Sequence, residues 1–92
     1  MLGKKFTDPI QGEQGIDRLH KEPFVFEQRT YAVGDRVTVS TKSGSTYSRW
    51  HYAGVTKRED GSILEIRLYR KRFGSVETTD ILIDSIKSIA SL

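Results

Sequence analysis

Two runs of the chain carry cations and aromatic rings at alternating positions. Arg49, His51 and Lys57 share one parity in the first run, and Arg67, Tyr69 and Lys71 share one parity in the second. Residues two apart in a strand lie on the same face, so a hairpin of the two runs gathers these side chains on one surface. Nucleic acid needs that mixture: cations neutralise phosphates and release counterions, while flat rings stack on unpaired bases. Arg70-Lys71-Arg72 adds three consecutive cations, either a phosphate clamp or a strand end emerging into solvent. The bland reading of the same face is a solvated surface whose Arg and Lys stems cover apolar neighbours.

A second candidate surface is aromatic. Trp50 and Tyr52 share a strand face, with Tyr47 just upstream. Rings so placed form peptide grooves or cage cations, which makes these three a candidate protein-binding site. A small core also needs large side chains, and the competing expectation is that Trp50 fills it.

Catalytic and metal chemistry find little to work with. The chain has no cysteine, which removes disulfides, thiolate metal sites and cysteine nucleophiles. His20 and His51 are the two histidines, too few for a multi-histidine metal site in one chain. Serines cluster in one stretch, with no placed His and acid partners and no phosphate-binding glycine motif. The expectation is therefore a non-enzymatic module with no cofactor, no metal and no evident small-molecule substrate.

The 92 residues suffice for one domain, with 36% hydrophobic and 29% charged residues and a mean hydropathy of -0.49. The longest apolar run, Ile81-Leu82-Ile83, is far below the roughly 18 residues of a transmembrane helix. Lys4 and Lys5 are followed by Asp8 and Pro9, not by the apolar stretch of a secretory leader. These features predict no membrane partner and a cytoplasmic location, or a virion if the chain is an assembly protein. The net charge is +3 and the pI about 9.3. Residues 1–30 balance five basic against five acidic side chains, whereas residues 49–72 hold seven basic against three acidic. The basic excess therefore falls on the two runs that carry the rings.

Those runs must be positioned by strands. Residues 1–23 lack strong periodicity and are broken by Gly3, Pro9, Gly12, Gly15 and Pro23, which predicts an extended N-terminal arm with at most one turn of helix, lying across its own barrel or gripping a neighbouring chain. A domain then occupies residues 24–92. Phe24-Val25-Phe26 is short and β-prone. From Arg36 to Lys42, Val37 and Val39 alternate with Arg36, Thr38 and Ser40, the pattern of a half-buried strand. Six hydroxyl residues around Gly44 in Ser40–Ser48 predict a flexible loop. Trp50–Arg58 and Ser62–Arg72 flank Asp60-Gly61, a strong hairpin signal. In the second arm Leu64, Ile66 and Leu68 form the inward set, and Glu65, Arg67, Tyr69 and Lys71 the outward one. Arg70 and Arg72 fall on the inward parity, so the strand must bulge or leave the core near Tyr69. Phe73-Gly74-Ser75 turns the chain into Val76–Ile83, and the Ile83, Ile86, Ile89 spacing fits either a 3₁₀ turn between two strands, the favoured reading, or a short C-terminal helix. Five or six short strands of this kind imply an all-β fold, a small barrel.

The opening Gly34-Asp35-Arg36-Val37, the polar loop, the hairpin and the tight turn before the last strand resemble the SH3-like layout over residues 31–90. An Sm-like barrel is the alternative closure. Phe24-Val25-Phe26, Gly34-Asp35-Arg36-Val37, Lys42-Ser43-Gly44, Trp50 before Gly54, and Gly74-Ser75-Val76 are also similar in order to the plasmid-type, type II dihydrofolate reductases. That resemblance implies a tetramer of SH3-like barrels building one pore, with Lys42 at the place of the family's basic pore residue. The family's active run is Val-Gln-Ile-Tyr, where this chain has Val76-Glu77-Thr78-Thr79, so the catalytic surface is not carried over.

Three functional expectations follow. The first is a module that holds nucleic acid through Arg49, His51, Lys57, Arg67, Tyr69, Arg70, Lys71 and Arg72. The second is a homo-oligomeric assembly subunit of viral or phage type, whose arm reaches a neighbouring subunit. The third is a protein-binding adaptor or inhibitor from a mobile element, using Tyr47, Trp50 and Tyr52.

Overall fold

A computed structural model describes residues 19–91. They form β1 (Phe24–Phe26), β2 (Arg29–Tyr31), β3 (Arg36–Thr41), β4 (Thr46–Lys57), β5 (Ile63–Arg72), β6 (Ser75–Leu82) and β7 (Ile86–Ser91). A 3₁₀ turn, Ile83–Ser85, joins the last two strands, the favoured of the two readings of the isoleucine spacing. β1 and β2 make a two-stranded antiparallel sheet, and the other five make an antiparallel sheet in the order β6-β5-β4-β3-β7. Among the described residues no strand pairing joins β6 to β7, so the sheet is not a hydrogen-bonded closed barrel. No helix among them is long and apolar enough to cross a membrane.

Alternation places the core. Val37, Val39 and Thr41 of β3 are buried while Arg36, Thr38 and Ser40 are not. Val37 and Val39 cluster with Trp50, Tyr52 and Val55 of β4, Ile66 and Leu68 of β5, Ile81 and Ile86, and with Phe24 and Tyr31 from the small sheet. Buried phenols need acceptors, and both have them: Tyr52 donates to the Glu22 carbonyl at 2.6 Å and Tyr31 to the Ile89 carbonyl at 3.3 Å. No buried side-chain polar atom among the described residues lacks a partner.

The described end of the arm lies on β4 of its own chain. His20 exchanges backbone hydrogen bonds with Val55, at 2.8 and 3.0 Å, and Leu19 is buried. Gly54 permits this approach: its φ is +148°, and an added Cβ would lie 2.6 Å from the His20 carbonyl oxygen. Residues 1–18 of the expected arm lie outside the described residues, as does Leu92.

One expectation needs correction. The Ser40–Ser48 stretch is not a loop, because β3 runs to Thr41 and β4 begins at Thr46. Its hydroxyls tighten the turn instead: Thr41 Oγ1 accepts from the Ser45 amide at 3.1 Å, and the Thr41 amide donates to the Ser45 carbonyl. Of the two outcomes expected near Tyr69, a bulge or departure from the core, β5 takes the second. It pairs with β6 in one unbroken register from Glu65 to Arg72. Pairing with β4 ends at His51 and Tyr69; from there β4 stays with β3, and Arg70–Arg72 leave the core as a hairpin with β6 alone. The irregularities fall elsewhere: on β4 around Arg49 against β3 and at Ala53 against β5, and on β5 at Leu64, between the pairs Thr56–Glu65 and Lys57–Ile63.

The hairpins turn as their sequences predict. At Asp60-Gly61 the Asp60 carboxylate accepts from the Ser62 hydroxyl and amide, at 2.6 and 2.9 Å. Those two bonds hold its pKa below the usual carboxylate range. At the other end Phe73 (φ 51°) and Gly74 (φ 79°) give the two left-handed residues of a two-residue hairpin turn.

Candidate functional site

The Gly34-Asp35-Arg36-Val37 segment builds one wall of a groove. Gly34 takes φ +99°, a conformation that frees its carbonyl to accept from His51 Nδ1 at 3.0 Å. Asp35 fixes the turn by accepting from the Ala32 amide at 2.8 Å, and its carbonyl accepts from the Tyr52 amide. Val37 then enters the core, so Arg36, one residue earlier, points the other way and pairs with His51 across the strands. A carbonyl only accepts, so His51 carries a proton on Nδ1. Its ring stacks on Tyr69 of β5 with centroids 5.2 Å apart and planes inclined by 26°.

The β4 irregularity supplies the second wall. Between the pairs Val37–Trp50 and Val39–Tyr47, β4 holds one residue more than β3. Arg49 takes up the mismatch at φ 61°, and its amide donates to Thr38 Oγ1 at 3.2 Å. A non-glycine residue so held costs on the order of 1 kcal/mol, a strain typical of bulges that re-aim a side chain.

The result is an open groove of about 690 Å³, lined by Arg36, Ser48, Arg49, His51, Tyr69 and the Arg70-Lys71-Arg72 run. No carboxylate among the described residues lines it. Among the described residues Arg36, Arg49, Lys71 and Arg72 have no acidic partner within ion-pair distance. Four such cations around two rings produce a field that attracts a polyanion.

Six of the eight residues proposed from sequence are thus brought together. Arg70 plays a different part from its neighbours: it pairs with Glu77 at 2.7 Å and lays its guanidinium 4.2 Å from the Trp50 ring centroid. It caps the core beside the groove. The other two residues stand elsewhere. Lys57 lies at the far end of β4, ion-paired to Glu22 at 3.1 Å. Arg67 is the correction to the outward set, being 5% exposed. Its guanidinium grips Asp80 of β6 with two bonds, at 2.6 and 2.8 Å. The alternation holds at Arg67, but that face of the sheet is covered here rather than open to water.

Trp50 and Tyr52 also depart from the site proposed for them. Both belong to the hydrophobic core, and Tyr47 packs edge-on against Trp50 at 6.0 Å. They present no open aromatic groove; filling the core, the competing expectation, is what they do. Burial, with the Glu22 carboxylate second, pushes the Tyr52 phenol well above its ordinary pKa of 10.0. Sequence reasoning missed Arg36 and Ser48. The signal for Arg36 was its parity opposite Val37 and Val39. Ser48 needed the bulge, which leaves no trace in the alternation. No cluster of three or more metal-binding side chains occurs among the described residues.

Comparison with protein-family models, curated proteins and solved structures finds no match.

Proposed function

We propose that this protein is a non-enzymatic binding module that holds nucleic acid in the groove between β3, β4 and the β5–β6 hairpin. One observation carries the reading: Arg36, Arg49, Lys71 and Arg72 surround the stacked His51 and Tyr69 rings with no carboxylate among the described lining residues. Phosphates supply the anions such a groove attracts, and bases supply the flat faces that rings accept. Few side chains there can read base edges, so binding is weak in sequence preference. The strand order β6-β5-β4-β3-β7 and the 3₁₀ turn before the last strand support an SH3-like relationship for the five-stranded sheet.

A titration of the isotope-labelled protein with a short oligonucleotide, followed by nuclear magnetic resonance, tests the location. Shifts concentrated at residues 36, 48–51 and 69–72 are expected. Shifts centred on the Lys57 end of β4, or none at millimolar ligand, would overturn it.

A further inference from the structure

We infer that Phe73, at the tip of the β5–β6 hairpin, is a stacking platform for an unpaired base, which makes single-stranded nucleic acid the preferred ligand. The inference rests on the proposed function and names its substrate class.

Phe73 is 94% exposed, the most exposed large hydrophobic residue described, and it adds nothing to the core. It occupies a turn position at φ 51°, where asparagine or glycine would sit without strain. The β1–β2 turn also holds two left-handed non-glycine residues, Glu27 and Gln28, but those are polar and suit water. A phenyl ring in the same setting lacks that explanation.

Its surroundings say what it meets. Arg72 lines the groove, and its guanidinium carbon lies 5.5 Å from the Phe73 ring centroid. The ring is thus joined through Arg72 to the track of Lys71, Arg49 and Arg36. His51 and Tyr69 supply a ring station within the groove, and Phe73 supplies another beyond its end. Ring stations along one cationic track match a strand whose phosphates follow the track while successive bases stack. In a duplex the base faces are already stacked, and inserting a ring requires unstacking a step. The free face of an unpaired base carries no such penalty.

The test compares single- and double-stranded oligonucleotides of equal length against wild type, Phe73→Ala, Phe73→Leu and Phe73→Trp. Loss of one base–aromatic stack predicts that Phe73→Ala weakens single-strand binding about tenfold and duplex binding less than twofold. Phe73→Leu, apolar but not flat, falls with alanine, and Phe73→Trp retains binding. The thermal midpoint of Phe73→Ala stays at or above that of wild type, so misfolding does not account for the loss.

Unchanged single-strand affinity in Phe73→Ala, while Arg36→Glu with Lys71→Glu abolishes binding, overturns this inference and leaves the proposed function standing. Absence of wild-type binding to either ligand at low salt removes both. Vesicles of phosphatidylserine and phosphatidylcholine complete the set. Phe73-dependent binding to them would make the tip a membrane contact and overturn the base-stacking assignment.

Discussion

His51 and Tyr69 are register partners on β4 and β5, and their rings stack at 5.2 Å at the last position where those strands pair. Beyond them β4 runs on with β3 and β5 runs on with β6, the two pairs no longer joined, so the stack sits where the sheet opens into the groove. Replacing Tyr69 by Ala removes a ring but no charge. Oligonucleotide affinity is expected to fall about tenfold with the salt dependence unchanged. Tyr69→Phe keeps the ring and should bind as wild type does. A loss in Tyr69→Phe equal to that in Tyr69→Ala would show that the hydroxyl, not stacking, matters.

Arg49 separates function from stability. Its φ of 61° suits glycine, so Arg49→Gly relieves strain while removing a groove cation. Chemical denaturation should show stability unchanged or raised by up to about 1 kcal/mol. Affinity for a polyanion should fall, and the slope of log affinity against log salt should shrink by about 0.7 for a single strand. A variant that binds as tightly as wild type would remove Arg49 from the interface.

The Arg67–Asp80 pair makes the opposite prediction. The Arg67 side chain is 6% exposed and that of Asp80 27%. Asp80→Ala withdraws a two-bond partner from a buried guanidinium, at a cost of about 2–3 kcal/mol after allowing for the part-exposed carboxylate. Oligonucleotide affinity of the folded fraction should be unaffected. Equal stability in urea for wild type and Asp80→Ala would show that other contacts carry the Arg67 charge.

Tyr52 sets an alkaline limit. Its folded pKa is raised above the unfolded value of 10.0, so its stabilisation is complete below pH 10. As pH rises above 10 the unfolded chain releases the phenolic proton and the folded chain retains it, which favours unfolding. The thermal midpoint of wild type should therefore drop more steeply between pH 10 and 12 than that of Tyr52→Phe. Tyr52→Phe should start about 1 kcal/mol less stable, having lost the bond to Glu22. Parallel curves for the two proteins would contradict this account.

Much of the fold was legible because alternation and turn chemistry are local. Val37 and Val39 and the Asp60-Gly61 turn each fixed an element from neighbouring residues alone, while the Ile83–Ile86–Ile89 spacing fitted a turn and a short helix equally. The hydroxyl-rich 40–48 stretch misled because composition does not reveal that Thr41 and Ser45 bond to each other across a tight turn. Arg67 misled for a different reason. Parity assigns a face, and only tertiary structure determines whether that face meets water or Asp80. The candidate groove was half visible: the cations of β5 and the rings were apparent, but Arg36 joins them only through the register of β3 against β4.

The most direct measurement is fluorescence anisotropy of a labelled single-stranded oligonucleotide across a salt series. Four groove cations releasing roughly 0.7 counterions each give a slope near −3, or about a 50-fold loss between 50 and 200 mM salt. Arg36→Glu with Lys71→Glu should remove most of the low-salt binding. No binding at low salt, or binding that ignores both salt and these substitutions, would contradict the central claim.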